Sequence, residues 1–412
     1  MSTTPSASLA SRVYLDHAAT TPVRREVAEQ VTADLRGHLG GWANPAAQHA
    51  SGRRAGAVLA EARARLAAAL DVDPHEVLFT SGGTQADALA VAGRVLAARA
   101  TGTDRPRVVT SSIEHPAVLD SARTAVAHLG AEHVEVGADD AGLVDQADLR
   151  EAVAEPSTAL VSVMTANNET GVVQDMAGLV EAVREAGGAR RPPEPGYVPV
   201  HSDAVAALGK VPVRLRDWGL DAMTVTGHKI GAPVGIGALI ARRDLTLVAP
   251  TGGGRQERGV RSGTQDAIGA RALALAVELA VAEQTEESGR LEALRGRVLE
   301  GAAALPGAHA TLPESAAHVA STAHLWFEDC DTEALLMALD MAGVDASAGS
   351  ACHAGVTQPS HVLLAMGLDE GPARSTLRCS MGRSTTAADV DRLLAALPAA
   401  LEIARQAHAA VR

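Results

Sequence analysis

From about residue 55 to residue 245, short apolar runs alternate with longer stretches in which apolar positions recur at helical spacing. AGAVLAEARARLAAAL (55–70) predicts a helix with charges at intervals, and EVLFT (76–80) predicts a strand. The alternation continues with a helix over 85–100, a strand over 107–111, a helix over 117–129, a strand over 158–164 and a helix over 176–187. Strands over 197–203, 221–227 and 236–241 follow. Strands that alternate with crossover helices predict an α/β fold, a mostly parallel sheet with helices on both faces. Ligands of such sheets bind beyond the carboxyl ends of the strands, so the turns that follow them are where chemistry is expected. ARRPPEPG (189–196) reads as an exposed, stiff loop.

After residue 265 the pattern changes. Long helices are expected over 267–285 and 288–303, then strand-like HLWF (324–327), a helix over 333–343, a strand edge at VDASAG (344–349) and a terminal helix pair over 388–411. We expect a large domain over 14–265 and a smaller α+β domain over 266–412, joined by residues 1–13. A length of 412 residues fits two or three domains at about 150 residues each.

Composition narrows the function classes. With 47% hydrophobic and 21% charged residues the chain is globular, and with only 2% aromatics Ala, Val and Leu must build its interior. A net charge of −13 disfavours direct nucleic-acid binding and an anionic membrane surface, and few aromatics are available for base stacking. No run approaches the roughly 18 apolar residues of a membrane span, and MSTTPSASLASR lacks the apolar segment of a signal peptide. The three cysteines, Cys330, Cys352 and Cys379, are too few and scattered for a disulfide framework, which suggests a reduced, cytoplasmic protein.

Two turns carry candidate chemistry. FTSGGTQAD (79–87) runs from strand through a Gly-Gly turn into a helix, where free N–H groups and the positive dipole end form an anion site to which Thr84 can add a hydroxyl. Such turns also occur with no ligand, and no P-loop pattern is present. TVTGHKIGAPVG (224–235) sets Lys229 in a Gly-flanked turn after an apolar strand. Most lysines are merely solvated, but this one follows Thr226 and His228, which can grip the same anion while the amine forms a Schiff base. HSD (201–203) ends another strand with Asp203, either a helix cap or the partner of a pyridinium nitrogen in pyridoxal phosphate. Cys352 lies in the Gly/Ala/Ser-rich AGSACHAGV, with little to pack into a core, whereas Cys330 and Cys379 suit inert burial. Metal binding is unsupported, since no Cys-x-x-Cys pair occurs.

These segments, with YLDHAATTP (14–22), NPAAQHASGR (44–53), SIEHPAVLD (112–120), NNETGVVQD (167–175), GGGRQERGVRSGT (252–264), QPSHVLLAMG (358–367) and RCSMGR (378–383), resemble the NifS/IscS-type cysteine desulfurases. These are pyridoxal-phosphate enzymes of fold type I in the class-V aminotransferase group. The segments occur in the family's order and cover nearly everything after residue 13. The resemblance implies a seven-stranded-type sheet, with Lys229 as the Schiff-base lysine, Asp203 as the pyridinium partner and His115 stacked on the cofactor ring and handling protons. It makes Gly83, Thr84, Thr226 and His228 phosphate binders. Thr264 reaches the cofactor of a second subunit, implying a homodimer. Asn168 and Arg378 grip the substrate carboxylate, for which an Arg fork offers two parallel bonds.

The implied reaction converts L-cysteine to L-alanine. Lys229 takes the Cα proton, and the thiolate of Cys352, with His115 as candidate base, attacks the substrate sulfur. The resulting persulfide passes to a sulfur-acceptor protein, with loop 347–358 swinging between cofactor and surface. Iron–sulfur assembly, tRNA thiolation, DNA phosphorothioation and a sulfur metabolite all stay open as destinations. The chain departs from the family at Ala206, where a Gln usually donates to the cofactor's phenolic oxygen, and at Gln85 and Ala88 after the phosphate turn. Two rival readings follow. One is a carbon–sulfur or selenocysteine lyase, or an aminotransferase, of the same group. The other is a low-activity sulfur-relay protein.

Overall fold

A computed structural model of the chain describes residues 12–37, 43–187, 194, 196–349 and 358–411. Its strands are β1 (Val13–Tyr14), β2 (Val77–Thr80), β3 (Arg107–Ser111), β4 (Glu132–Val136), β5 (Thr158–Ser162), β6 (Val200–Asp203), β7 (Ala222–Thr226), β8 (Gly237–Ala241), β9 (Ala308–Ala310), β10 (Thr322–Phe327), β11 (Val344–Asp345) and β12 (Thr376–Ser380). Seven of them form one sheet in the order β2-β8-β7-β6-β5-β3-β4. Neighbours pair in parallel except around β8, which runs antiparallel to both β2 and β7. β2 therefore points the same way as β7, and six strands deliver their carboxyl ends to one edge. The expected mostly parallel α/β sheet is the one the chain forms.

Every residue of β2, β5, β6, β7 and β8 is buried, as strands covered on both faces must be, and β2 and β8 read as apolar runs, whereas β6 (VHSD) carries the polar groups His201, Ser202 and Asp203. β4 (EHVEV) lies at the sheet's edge, and its charged positions hid it from the apolar pattern. Small side chains replace aromatics in the covering helices. Ala270, Ala272, Ala274 and Ala276 are buried along one helix, against which Ala50–Ala69 packs.

That helix corrects one expectation. In place of helices over 267–285 and 288–303 the chain forms a single helix, Ala267–Ala303. Its first half belongs to the core under the sheet and its second, from Leu291, to a separate core with Val13, Leu15, Phe327 and Leu377. The exposed, Glu-rich stretch between the cores interrupts the apolar periodicity, but Glu and Gln sustain a helix well. The expected terminal pair is also one helix, Ala387–Val411, which continues through Pro398. In the second core β10 lies between β9 and β12, antiparallel to both, and β1 pairs with β11.

Candidate active site

Five turns, those after β2, β3, β5, β6 and β7, converge on a cavity of about 210 Å3 at the carboxyl edge of the sheet. Eight residues singled out in the sequence line it: Gly83, Thr84, His115, Asn168, Asp203, Thr226, His228 and Lys229.

After β2 the chain turns through Gly82, whose φ of +153° only glycine adopts freely, into the helix Gly83–Ala100. A Cβ on Gly83 would stand 3.0 Å from Val205 Cγ2, so glycine also lets this helix start close to the turn after β6. No side chain caps the helix, which leaves its first N–H groups free for an anion. Gln85 instead shapes the turn, accepting the Ser81 N–H at 2.8 Å.

His115 precedes Pro116 and caps the helix Pro116–Leu129, its Nδ1 accepting the Ala117 N–H at 3.0 Å. Burial lowers its pKa, against the pull of Asp203, and a neutral ring with Nδ1 so engaged carries its hydrogen on Nε2. It is thus set up as a donor. To accept a proton at Nδ1 it must first release Ala117.

Lys229 follows β7 and donates from Nζ to the Ala18 carbonyl. Burial, reinforced by Arg378, pushes its ammonium down to about 8, with Asp203 and Asp16 opposing. His228 beside it is pushed down to about 4 by burial and by Lys229. Asp203 ends β6 and accepts the Val205 N–H at 2.8 Å. Burial raises its pKa, and His115, that bond and Lys229 favour the carboxylate.

Two further carboxyls stand close by. Asp87 lines the cavity and is 1% exposed, with Oδ1 unpartnered and 3.7 Å from His201 Nε2. Glu114 accepts from Ser111 Oγ at 2.5 Å and from the Met164 N–H at 2.7 Å, while its Oε2 has no partner. Burial pushes Glu114 up to about 8 and raises Asp87 as well, with Asp203 adding to both. Neither was singled out in the sequence. Asp87 carried a faint signal, a carboxyl three residues after Thr84 on an otherwise apolar helix face. The remaining wall is Met164, Val205 and Ala206, whose methyl group offers no donor.

The other sequence candidates lie apart. Arg378, in β12, donates to Asp16 Oδ1 at 2.8 Å and to the Asn168 carbonyl at 2.9 Å and does not line the cavity, although its Nε is buried without a partner. Thr264 is exposed and outside this chain's cavity. Cys352 lies outside the described residues, as do the centre of loop 347–358, the N-terminal tail and most of 189–196. Cys330 and Cys379 are buried and unpaired, and burial pushes both thiols up to about 12, which makes them inert.

The wall chemistry fits pyridoxal phosphate. The uncapped helix start with Thr84 suits a phosphate, the buried Asp203 a cationic ring nitrogen, and the partly neutral Lys229 an aldehyde.

Comparison with known proteins agrees with this geometry. The family model described as aminotransferase class-V matches residues 13–393. The chain is 44% identical over 401 residues to an IscS-like cysteine desulfurase of Mycobacterium tuberculosis, covering 96% of this chain and 97% of that one. It is 36% identical over 386 residues to the cysteine desulfurase IscS of Methanosarcina thermophila, covering 94% and 91% of the two chains. A solved NifS-like protein superposes with a TM-score of 0.85 at 31% identity, over 95% of this chain and 99% of that one. The chain therefore belongs to the class-V aminotransferase family and, within it, to the NifS/IscS-type cysteine desulfurases. The rival lyase, aminotransferase and relay readings lose ground to these relatives.

Proposed function

We propose that the cavity holds pyridoxal phosphate and that the protein converts L-cysteine to L-alanine, leaving a persulfide on Cys352 for transfer to an acceptor protein. The convergence of eight sequence-predicted residues from five turns on one cavity carries this reading. When bound there, the cofactor supplies an aldehyde for the substrate amine and a cationic ring that takes up the electron pair left by the departing Cα proton.

The chain's own groups do the rest. Asp203, supported by the Val205 N–H, would hold the ring nitrogen as an ionised acceptor. Lys229, with its pKa near 8, takes the Cα proton at Nζ and can return it. His115, in the cavity wall, would help hold the ring and has Nε2 free to donate. Asn168, in the cavity wall, and Arg378 orient the substrate carboxylate, Arg378 on release from Asp16 and the Asn168 carbonyl. The Cys352 thiolate attacks the substrate sulfur. An S–S bond forms, the substrate C–S bond breaks, and its electron pair is protonated on carbon to give alanine.

Thr264, exposed and away from its own chain's cavity, supports a homodimer in which it serves the partner's cofactor. The two apolar cores support a large and a small domain, with the division inside the long helix, between Ala280 and Leu291, in place of the expected 265. Two buried, unpaired thiols and the absence, among the described residues, of any helix long and apolar enough to cross a membrane are in keeping with a reducing cytoplasm.

Mass spectrometry after L-cysteine is added without reductant tests the proposal. One extra sulfur atom is expected on the Cys352 peptide, and its appearance only on another cysteine, or nowhere, contradicts it.

A further inference from the structure

Lys229 also lines a second cavity, of about 70 Å3, and the charges there do not balance. Four cationic side chains, Arg24, Lys210, Lys229 and Arg383, face it against two carboxylates, Glu283 and Glu287. Both carboxylates are already engaged. Glu283 accepts from Arg24 at 2.7 Å, and Glu287 is held through both oxygens by Arg290 at 3.0 and 2.8 Å. Arg383 is exposed and, among the described residues, reaches only the Pro22 carbonyl, at 2.7 Å. Lys210 is bonded through its backbone, its carbonyl accepting from Ser288 Oγ, while its ammonium has no partner among the described residues. Ser321, 3% exposed, also lines this cavity, and its hydroxyl has no partner. The unfilled groups are therefore mostly donors, and two of them are cations.

The cations also disfavour one another's charge. Burial and the nearby Lys229 and Arg378 push Lys210 down to about 7. Burial, with Lys210, Arg383 and Arg290, pushes His17 down to about 4, and burial with Arg24 lowers Arg383, opposed by Glu283, Glu26 and Glu287. The shifts of Lys210 and His17 mark a net positive potential on their side of the cavity.

We infer that this second cavity is a binding site for a small monovalent anion, held by Lys210, Arg383 and Ser321. The volume suits a halide or an ion of the size of formate with a little water, and excludes a bulky organic acid. Because Lys229 borders both cavities, an anion here favours its ammonium over its amine. The inference uses neither the proposed cofactor nor the proposed reaction, so it stands or falls separately from them.

Bromide is the probe. In buffer whose ionic strength is held constant with sodium gluconate, an anion too large for the cavity, bromide is expected to raise Tm saturably by about 1–3 °C. The rise is expected to vanish in Lys210→Met and to persist in Lys210→Arg, and crystals soaked in bromide should show an anomalous peak among Lys210, Arg383 and Ser321. An equal rise in Lys210→Met, no saturable rise in wild type, or a soaked crystal with no peak in this cavity overturns the inference. Should Lys210→Met fail to fold, Ser321→Ala takes its place, and the wild-type soak decides without any variant.

Discussion

Carboxyl groups are buried in two regions of the large sheet, and the two regions treat them differently. Beside β2, Glu257 has both oxygens held by Arg63, at 2.7 and 2.8 Å, and also accepts the Phe79 N–H at 2.9 Å. Beside β6, Asp221 accepts from Arg184 at 2.8 Å, Tyr197 at 2.7 Å and the Val200 N–H at 2.8 Å. At the carboxyl edge, by contrast, Asp87 and Glu114 each keep an oxygen unpartnered, and burial raises both of them and Asp203. Where only the fold is at stake, an arginine meets the buried carboxylate, as Arg271 also meets Asp34 Oδ1 at 2.8 Å, although Asp34 Oδ2 has no partner. Unfilled acceptors gathered around a cavity mark a place that a ligand completes.

Removing a carboxylate from each region puts the contrast to the test. Glu257→Ala leaves Arg63 partly buried without its counter-charge and strands the Phe79 N–H, so it should destabilise by about 3–5 kcal/mol in urea unfolding. A loss below about 1 kcal/mol would erase the distinction between the regions. Asp203→Asn should do the reverse. Alanine formation is expected to fall about 10²–10³-fold while Tm of the cofactor-free protein holds or rises, because a desolvated carboxyl has gone. A matching drop in Tm would make Asp203 structural.

A third, smaller effect follows from Lys229. Its folded pKa of about 8 lies below the ordinary 10.5, so the reactive amine grows as pH rises towards 8 and levels off above it. The rate of loading the cofactor-free protein with pyridoxal phosphate, followed by absorbance, should climb by about tenfold per pH unit below that point. A flat profile from pH 6 to 9 would show that Lys229 is not desolvated as described.

Much of this was legible beforehand because it is local. Most buried strands read as largely apolar runs, and Asp203, the Gly-Gly turn and Lys229 stand at or just beyond their ends. What stayed hidden depends on distant partners or on weak patterning. Glu257 is an ordinary charge until the fold brings Arg63, 194 positions away, to meet it. β4 is masked by its own charges, and the long helix by its exposed middle. Asp87 shows its character only when His201 and Asp203 close around it. Arg378, read as a free fork, is in place bound to Asp16 and the Asn168 carbonyl.

The central claim is sulfur transfer through Cys352, and one comparison tests it directly: alanine and sulfide release from L-cysteine with a thiol reductant, wild type against Cys352→Ala. The account predicts both products in equal amounts from wild type and neither from the variant. A variant that still releases both would mean that sulfur leaves by direct elimination and that Cys352 is not its acceptor.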